Sequence, residues 1–245
     1  KPRWAQPLPI ISQTEKQETA LLSSMFDEDE IPVKQLFRGL KEMPVADKKH
    51  CTLPREEYWM WEVEAVAIRL LYKKWEGCLA IDISPLSVEV MQKRGVKNAQ
   101  LQNFFHEQFA GEFDTILMLM NGSGIIGKVE YLPIFPQAET SLAPNGCVLM
   151  DSSDLRYLFE NEDGSFDIDL NADYYGEVDF HADGSIKGDS FDWLYTDFQT
   201  LSYYAAQAGF KVEMIHEGDT MTTLHESART KKDIQYNHFH ILILY

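Results

Sequence analysis

The stretch Leu79–Gly95, LAIDISPLSVEVMQKRG, constrains the chain more than any other, because it holds a buried strand, an acid at its end and a capped helix in immediate succession. Cys78-Leu79-Ala80-Ile81 is a short apolar run of the kind that sits inside a parallel sheet, and Asp82 follows where the strand leaves the core. Ser84 suits an N-cap, Pro85 the first helical position, and Gly95, after Lys93 and Arg94, a helix stop. The acid therefore stands at the carboxyl end of a strand. In open α/β sheets ligands bind along that rim, and a carboxylate there can accept both hydroxyls of a ribose. The unit reads as a nucleoside-binding edge.

Further strands extend the pattern. Ala99–Phe105 reads as a strand with Asn103 near its end, Phe113–Met120 is the most apolar of the set, and Ala143-Pro144-Asn145-Gly146 turns into the strand Cys147–Met150, which ends on Asp151. Asp82, Asn103 and Asp151 thus share one rim. Strands alternating with links long enough for crossovers imply a parallel, doubly wound sheet. Arg55–Trp75 carries a helical stripe of Trp61, Ala65, Ile68 and Leu71, although residues 53–66 also admit a strand and turn. Lys128–Leu142 reads as a helix interrupted by Pro133 and Pro136, Thr196–Ala208 as a capped helix stopped by Gly209, and Lys211–His216 and His238–Tyr245 as closing strands.

Residues 152–195 break the rhythm. Asp163-Gly164 and Asp183-Gly184 are turn dipeptides, and Tyr174–His181 and Phe191–Tyr195 look like strands, so an antiparallel ribbon at about 160–195 is expected. Residues 1–50 form an irregular N-terminal cap in this reading, with a helix at Glu15–Met25, a solvated acid run at Asp27–Glu30 and an apolar stripe of Leu36, Phe37, Leu40 and Met43. Residues 51–245 form the α/β domain.

Composition removes several classes. A formal charge of −17 repels nucleic acid and anionic membrane surfaces, and no apolar run is long enough to span a bilayer. Cys51, Cys78 and Cys147 are widely spaced and read as free thiols in a reducing cytoplasm, and the opening residues Lys1–Trp4 lack the apolar core of a signal peptide. A calcium loop at Asn161–Gly164 fails because its first and last ligand positions would be Phe159 and Leu170. His238 and His240 share a strand face with no third ligand nearby, so no metal site is assigned.

Gly122-Ser123-Gly124-Ile125-Ile126-Gly127 is a literal G-x-G-x-x-G after a strand, with Asp151 ending the next strand. It offers a nicotinamide-dependent oxidoreductase as one reading. Pro133 and Pro136 spoil the helix that should cradle a pyrophosphate, and a small-residue loop with a close backbone approach is the competing reading.

The blocks AIDIS at 80–84, FDTILMLMNGSG at 113–124, LAPNGCVLMDSSD at 142–154 and AAQAGFKVEMIHEG at 205–218 resemble, in order and spacing, the class I S-adenosylmethionine-dependent methyltransferases. The likeness is to a group of small bacterial members, and DEIPVKQLFRGLKEMP at 29–44 is similar to the cap segment that precedes their core. The resemblance implies a Rossmann-like, mostly parallel seven-stranded sheet with an antiparallel last strand at His238–Tyr245. It implies S-adenosylmethionine as cofactor and methyl transfer to a small-molecule acceptor, with Asp82 at the ribose, Asn103 and Phe104 at the adenine, Met118, Met120 and Asn121 at the methionine end, and Ile83 as a further cofactor contact. The family's glycine-rich first motif falls, by count back from Asp82, at Trp59–Ala65, and no glycine stands there. Candidates for a base or an acceptor contact are His106, Asp151 and Tyr175, with Tyr174, Trp193 and Tyr195 beside them. A non-catalytic protein that keeps the fold for binding is the second reading.

Overall fold

The computed structural model describes residues 19–24, 26, 28–32, 57–61, 77–104, 113–118, 121–134, 141–169, 171–183, 190–216 and 240–244. The strands among them are β1 (Thr19–Ser23), β2 (Glu28–Pro32), β3 (Glu57–Trp61), β4 (Gly77–Asp82), β5 (Ala99–Leu101), β6 (Phe113–Met118), β7 (Leu142–Asp151), β8 (Glu177–Asp183), β9 (Phe191–Leu194), β10 (Lys211–His216) and β11 (His240–Leu244). Helix α1 is Pro85–Lys93 and α2 is Phe198–Gln207.

Seven of these strands hydrogen-bond in the order β10-β11-β7-β6-β3-β4-β5, and every described pairing is parallel. The chain runs outward from β3 through β4 to β5, then returns to β6 on the other side of β3 and continues to β7. The order therefore reverses between β3 and β6. That is where an open α/β sheet leaves a crevice outside the carboxyl ends of its strands. The sheet holds together because β6 and β7 are apolar on both faces: Ile116, Leu117, Met118, Val148, Leu149 and Met150 are all buried. Met91 of α1 and Leu201 and Ala205 of α2 are buried too, so each helix turns an apolar stripe inward.

A second sheet has the order β2-β1-β8-β9 and is antiparallel throughout. The ribbon expected near residues 160–195 is the β8–β9 hairpin, with Glu177 opposite Leu194 and Phe180 opposite Phe191. The N-terminal segment corrects the sequence reading. Thr19–Ser23, within the helix expected at Glu15–Met25, form strand β1 instead, and part of the acid run Asp27–Glu30 enters edge strand β2. Pairing of β1 with β8 supplies hydrogen bonds that a short amphipathic helix would not gain here.

Three more expectations change. The helix over Arg55–Trp75 gives way at Glu57–Trp61 to the central strand β3, a stretch with three aromatic residues of high strand propensity, Tyr58, Trp59 and Trp61, that pairs with two neighbours; residues 62–76 lie outside the described ones. The helix over Lys128–Leu142 is a 3-10 segment at Val129–Ile134, as Pro133 interrupts regular helical bonding. The last strand, expected antiparallel, runs parallel to both β10 and β7. The connection over residues 217–239 exceeds the dozen or so that a parallel crossover needs. The turn Ala143–Gly146 is present, carried as a bulge within β7 with Asn145 at φ 69°.

Candidate functional site

Asp82 is the last residue of β4, and its position follows from the local sequence. The Ser84 hydroxyl accepts from the Ser87 amide as N-cap of α1, and the Ser84 amide donates to Asp82 Oδ1 at 2.7 Å. The carboxyl is thereby fixed at the rim, only 7% exposed. Burial pushes its pKa up to about 6, against the opposing pull of the Ser84, Ser87 and Ile83 hydrogen bonds. A carboxylate held this way gains from hydroxyl donors brought by a ligand, since they restore solvation lost on burial.

Across the switch point the carboxyl end of β7 brings Asp151 beside the segment after β6. Asn121 adopts a left-handed backbone, φ 54°, and its amide donates to Asp151 Oδ2 at 3.0 Å, while the Ser153 hydroxyl donates to Asn121 Oδ1 at 3.2 Å. Asn is among the residues that tolerate this conformation. The rim is thus built from Asp82 on β4, Asn121 after β6 and Asp151 at the end of β7.

The structure places the other expected residues less uniformly. Asn103 lies two residues beyond β5, and Ile83 is half-buried at the β4–α1 junction. Phe104 and Met118 are buried within the main apolar cluster, at 3% and 1% exposed. Met120 and His106 lie outside the described residues.

The G-x-G-x-x-G segment has a packing role. Residues Gly122–Ile126 form a 3-10 turn pressed on β9, and a Cβ added to Gly124 would fall inside the Trp193 indole. Gly127, φ 79°, lies against Asp192. These glycines face protein, so the oxidoreductase reading loses its loop.

Beside the rim, residues from the ribbon and the N-terminal hairpin line a cavity of about 750 Å³. Phe26, Phe159, Tyr175 and Tyr174 form an aromatic chain with successive centroid separations of 5.7, 6.1 and 4.6 Å. Asp197 anchors one end of it. Its Oδ2 accepts from the Tyr174 hydroxyl at 2.6 Å and lies 3.1 Å from that of Tyr175, while Oδ1 caps α2 by accepting from the Thr200 amide. The Tyr175 hydroxyl also lies 3.0 Å from Asp154 Oδ1. Burial and the Asp197 hydrogen bond push Tyr174 up to about 12, and burial with the Tyr174 contact moves Tyr175 upward as well. Burial works to raise Asp197, yet hydrogen bonds from Thr200 and Tyr174 hold it below the usual carboxylate range. Both phenols therefore keep their protons as donors. The sequence marks Asp197 only as a helix cap and Asp154 only as the end of the block 142–154; their contacts with the tyrosines, and that of Phe26 with Phe159, arise from the fold.

Among solved structures, the chain is 50% identical to a SAM-dependent methyltransferase from Bacteroides fragilis in complex with S-adenosyl-L-homocysteine, over 85% of this chain and 86% of that one, with a TM-score of 0.71. The chain belongs to the S-adenosylmethionine-dependent methyltransferases. It is an enzyme of that type with S-adenosylmethionine as cofactor. A SAM-dependent methyltransferase from Clostridium acetobutylicum matches at 14% identity over 69% of this chain and 82% of that one, TM-score 0.49, and DesVI from Streptomyces venezuelae at 14% over the same shares, TM-score 0.47. Neither bears on the reaction of this methyltransferase. No family model and no curated protein matches the chain. No helix among the described residues is long and apolar enough to cross a membrane.

Proposed function

We propose that this methyltransferase holds its cofactor across the rim between β4 and β7 and methylates a small molecule seated in the adjoining aromatic cavity. The observation that carries this reading is Asp82: a buried carboxylate at the end of a strand beside the topological switch point, with its pKa raised by desolvation. Asp82 and Ile83 would take the ribose, Asn103 and Phe104 the adenine side, and Met118, Met120 and Asn121 the methionine end. The Rossmann-like fold in its finer form, seven strands with an added antiparallel ribbon, supports the same placement.

The cofactor supplies an electrophilic methyl on a sulfonium. What remains for the protein is to align an acceptor and exclude water, and such positioning lowers a barrier by up to about 7–11 kcal/mol in ideal cases. The cavity lies next to Asp154, three residues past Asp151, and to Gly127, at the end of the 3-10 turn that follows Asn121. Its lining includes Asp167, Asp169, Asp173, Asp179 and Asp192 with Lys128 as the only base among the described lining residues, which favours a cationic or hydroxyl-rich acceptor over an anionic one. Tyr174 and Tyr175, fixed by their hydroxyl bonds to Asp197 and Asp154, orient that acceptor through their rings. Asp151 is engaged by the Asn121 amide and shapes the rim.

Calorimetric titration with S-adenosylhomocysteine tests the cofactor half of the reading. Micromolar binding that Asp82→Ala abolishes is the expected result, and binding indifferent to that substitution would move the cofactor elsewhere.

A further inference from the structure

Strand β3 lies at the switch point, between β4 and β6, and ends at Trp61, which pairs with Ile81 one residue short of Asp82. The first strand-to-helix connection of a doubly wound sheet leaves from this place, and small residues let its backbone approach the ligand. The chain instead runs Trp59-Met60-Trp61-Glu62-Val63-Glu64, with bulky groups and two acids.

Tryptophan and methionine are the two amino acids with a single codon. The bases under Trp59-Met60-Trp61 are therefore TGG-ATG-TGG, both glutamate codons begin with GA, and both tyrosine codons end in T or C. Read from the third base of the Tyr58 codon, the same bases spell TTG or CTG, then GAT, GTG and GGA. That is Leu-Asp-Val-Gly, whatever synonymous codons the gene uses. The following triplet, from Glu62 and Val63, encodes only Ser or Gly. The next, from Val63 and Glu64, encodes Gly if the valine codon ends in G, and Arg or stop otherwise. The one after, from Glu64 and Ala65, encodes Ser or Gly. Further on, Trp75 and Glu76 dictate another Gly. One displaced frame thus supplies an apolar strand end, an acid and a small-residue turn at the point where the sheet needs them.

We propose that the gene encodes a Leu-Asp-Val-Gly-(Ser/Gly) turn at the end of β3, and that this chain reads that segment from a frame displaced upstream of Tyr58 and restored before Asp82. The displaced turn serves the cofactor site, so its functional part rests on the rim reading above. Downstream of the segment the frame is the functional one, since the strand–acid–helix unit from Leu79 onward has its caps and its buried stripe in place.

The base sequence of the gene across this segment, with tryptic mass spectrometry of the protein made from it, decides the coding. A peptide containing Leu-Asp-Val-Gly is expected, and the peptide Glu56–Arg69, EEYWMWEVEAVAIR, in its place overturns the proposal. Titration with S-adenosylhomocysteine of this chain, and of the chain carrying the displaced-frame turn, tests the function. Binding at least tenfold tighter in the second supports it, and equal binding by the two overturns it. A Leu-Asp-Val-Gly peptide with no binding by either chain upholds the coding and overturns the cofactor reading instead.

Discussion

In the parallel sheet the acids Asp82 and Asp151 stand at strand ends, while the strands leading to them are buried and apolar from Cys78 to Ile81 and from Cys147 to Met150. In β8 of the antiparallel sheet, Glu177, Asp179, His181 and Asp183 alternate with Val178, Phe180 and Ala182 along the strand. The difference is one of period. A strand covered on both faces can expose charge only where it leaves the core, whereas a strand covered on one face exposes it at every second residue. The first arrangement makes an edge that grips a ligand at a point. The second makes a wall that lines a cavity.

Substitutions that act on one region and spare the other test this contrast. The largest effect is expected from Asp82→Ala, which should weaken S-adenosylhomocysteine by at least about a hundredfold, or about 3 kcal/mol, for the loss of charge-assisted bonds. The same carboxyl gives a pH signature. Its folded pKa, raised to about 6, lies above the ordinary carboxylate value, so between about pH 4 and 6 the folded chain holds more protons than the unfolded one. Stability contributed at low pH is therefore lost as pH rises through 6, while cofactor affinity rises over the same window. Asp82→Asn should flatten both trends and raise the melting temperature of the cofactor-free protein near neutrality, read by calorimetry.

On the cavity side, Asp197→Ala removes the cap of α2 and the acceptor shared by two phenols, and should cost about 2–3 kcal/mol in chemical denaturation. S-adenosylhomocysteine binding at temperatures where the variant stays folded should change little; a loss as large as that of Asp82→Ala would erase the distinction between edge and wall. Gly124→Ala joins the two regions, because its Cβ would collide with the Trp193 ring of β9. A loss of about 1–3 kcal/mol is expected, as for other overpacked contacts. Trp193→Leu in the same chain should recover much of it, and no recovery would mean that the glycine serves something other than this contact. The smallest effect belongs to Lys128→Ala, about 0.5 kcal/mol or less, because the Lys128–Glu177 pair at 3.3 Å is partly solvated and Glu177 keeps its bond from the Val129 amide.

The two regions were also unequally legible in the sequence. The β4–Asp82–α1 unit was readable because everything that shapes it is local: an apolar run, an acid, Ser84 as cap, Pro85, and Gly95 at φ 95°. The turn Ala143–Gly146 announced itself by Pro144 and Asn145 for the same reason. Strand β1 did not, since Thr19–Ser23 carries no strand pattern of its own and is held between its hairpin partner β2 and the distant β8. Strand β3 was hidden by a stripe at helical spacing, and its place at the centre of the sheet depends on β4 and β6. Of the cavity, the tyrosines could be named from the sequence, and Asp197 beside Thr196 as a cap of the next helix, but the contacts of Asp197 and Asp154 with the tyrosines could not, because they join positions more than twenty residues apart.

Asp197 also bears on how such an enzyme can change its acceptor over evolutionary time. One carboxylate fastens Tyr174 and Tyr175 in the cavity wall and nucleates the helix that covers the sheet. A lineage exploring new acceptors can vary Asp167 or Asp173 at little structural risk, since these lie in loops outside the strands and helices, whereas Asp169 also holds the Asn171 amide. Replacing the tyrosines alters the partner of a helix cap, so innovation there is tied to repair elsewhere. The cavity thus has a permissive side and a conservative side, and selection for a new acceptor should leave its first traces on the permissive one.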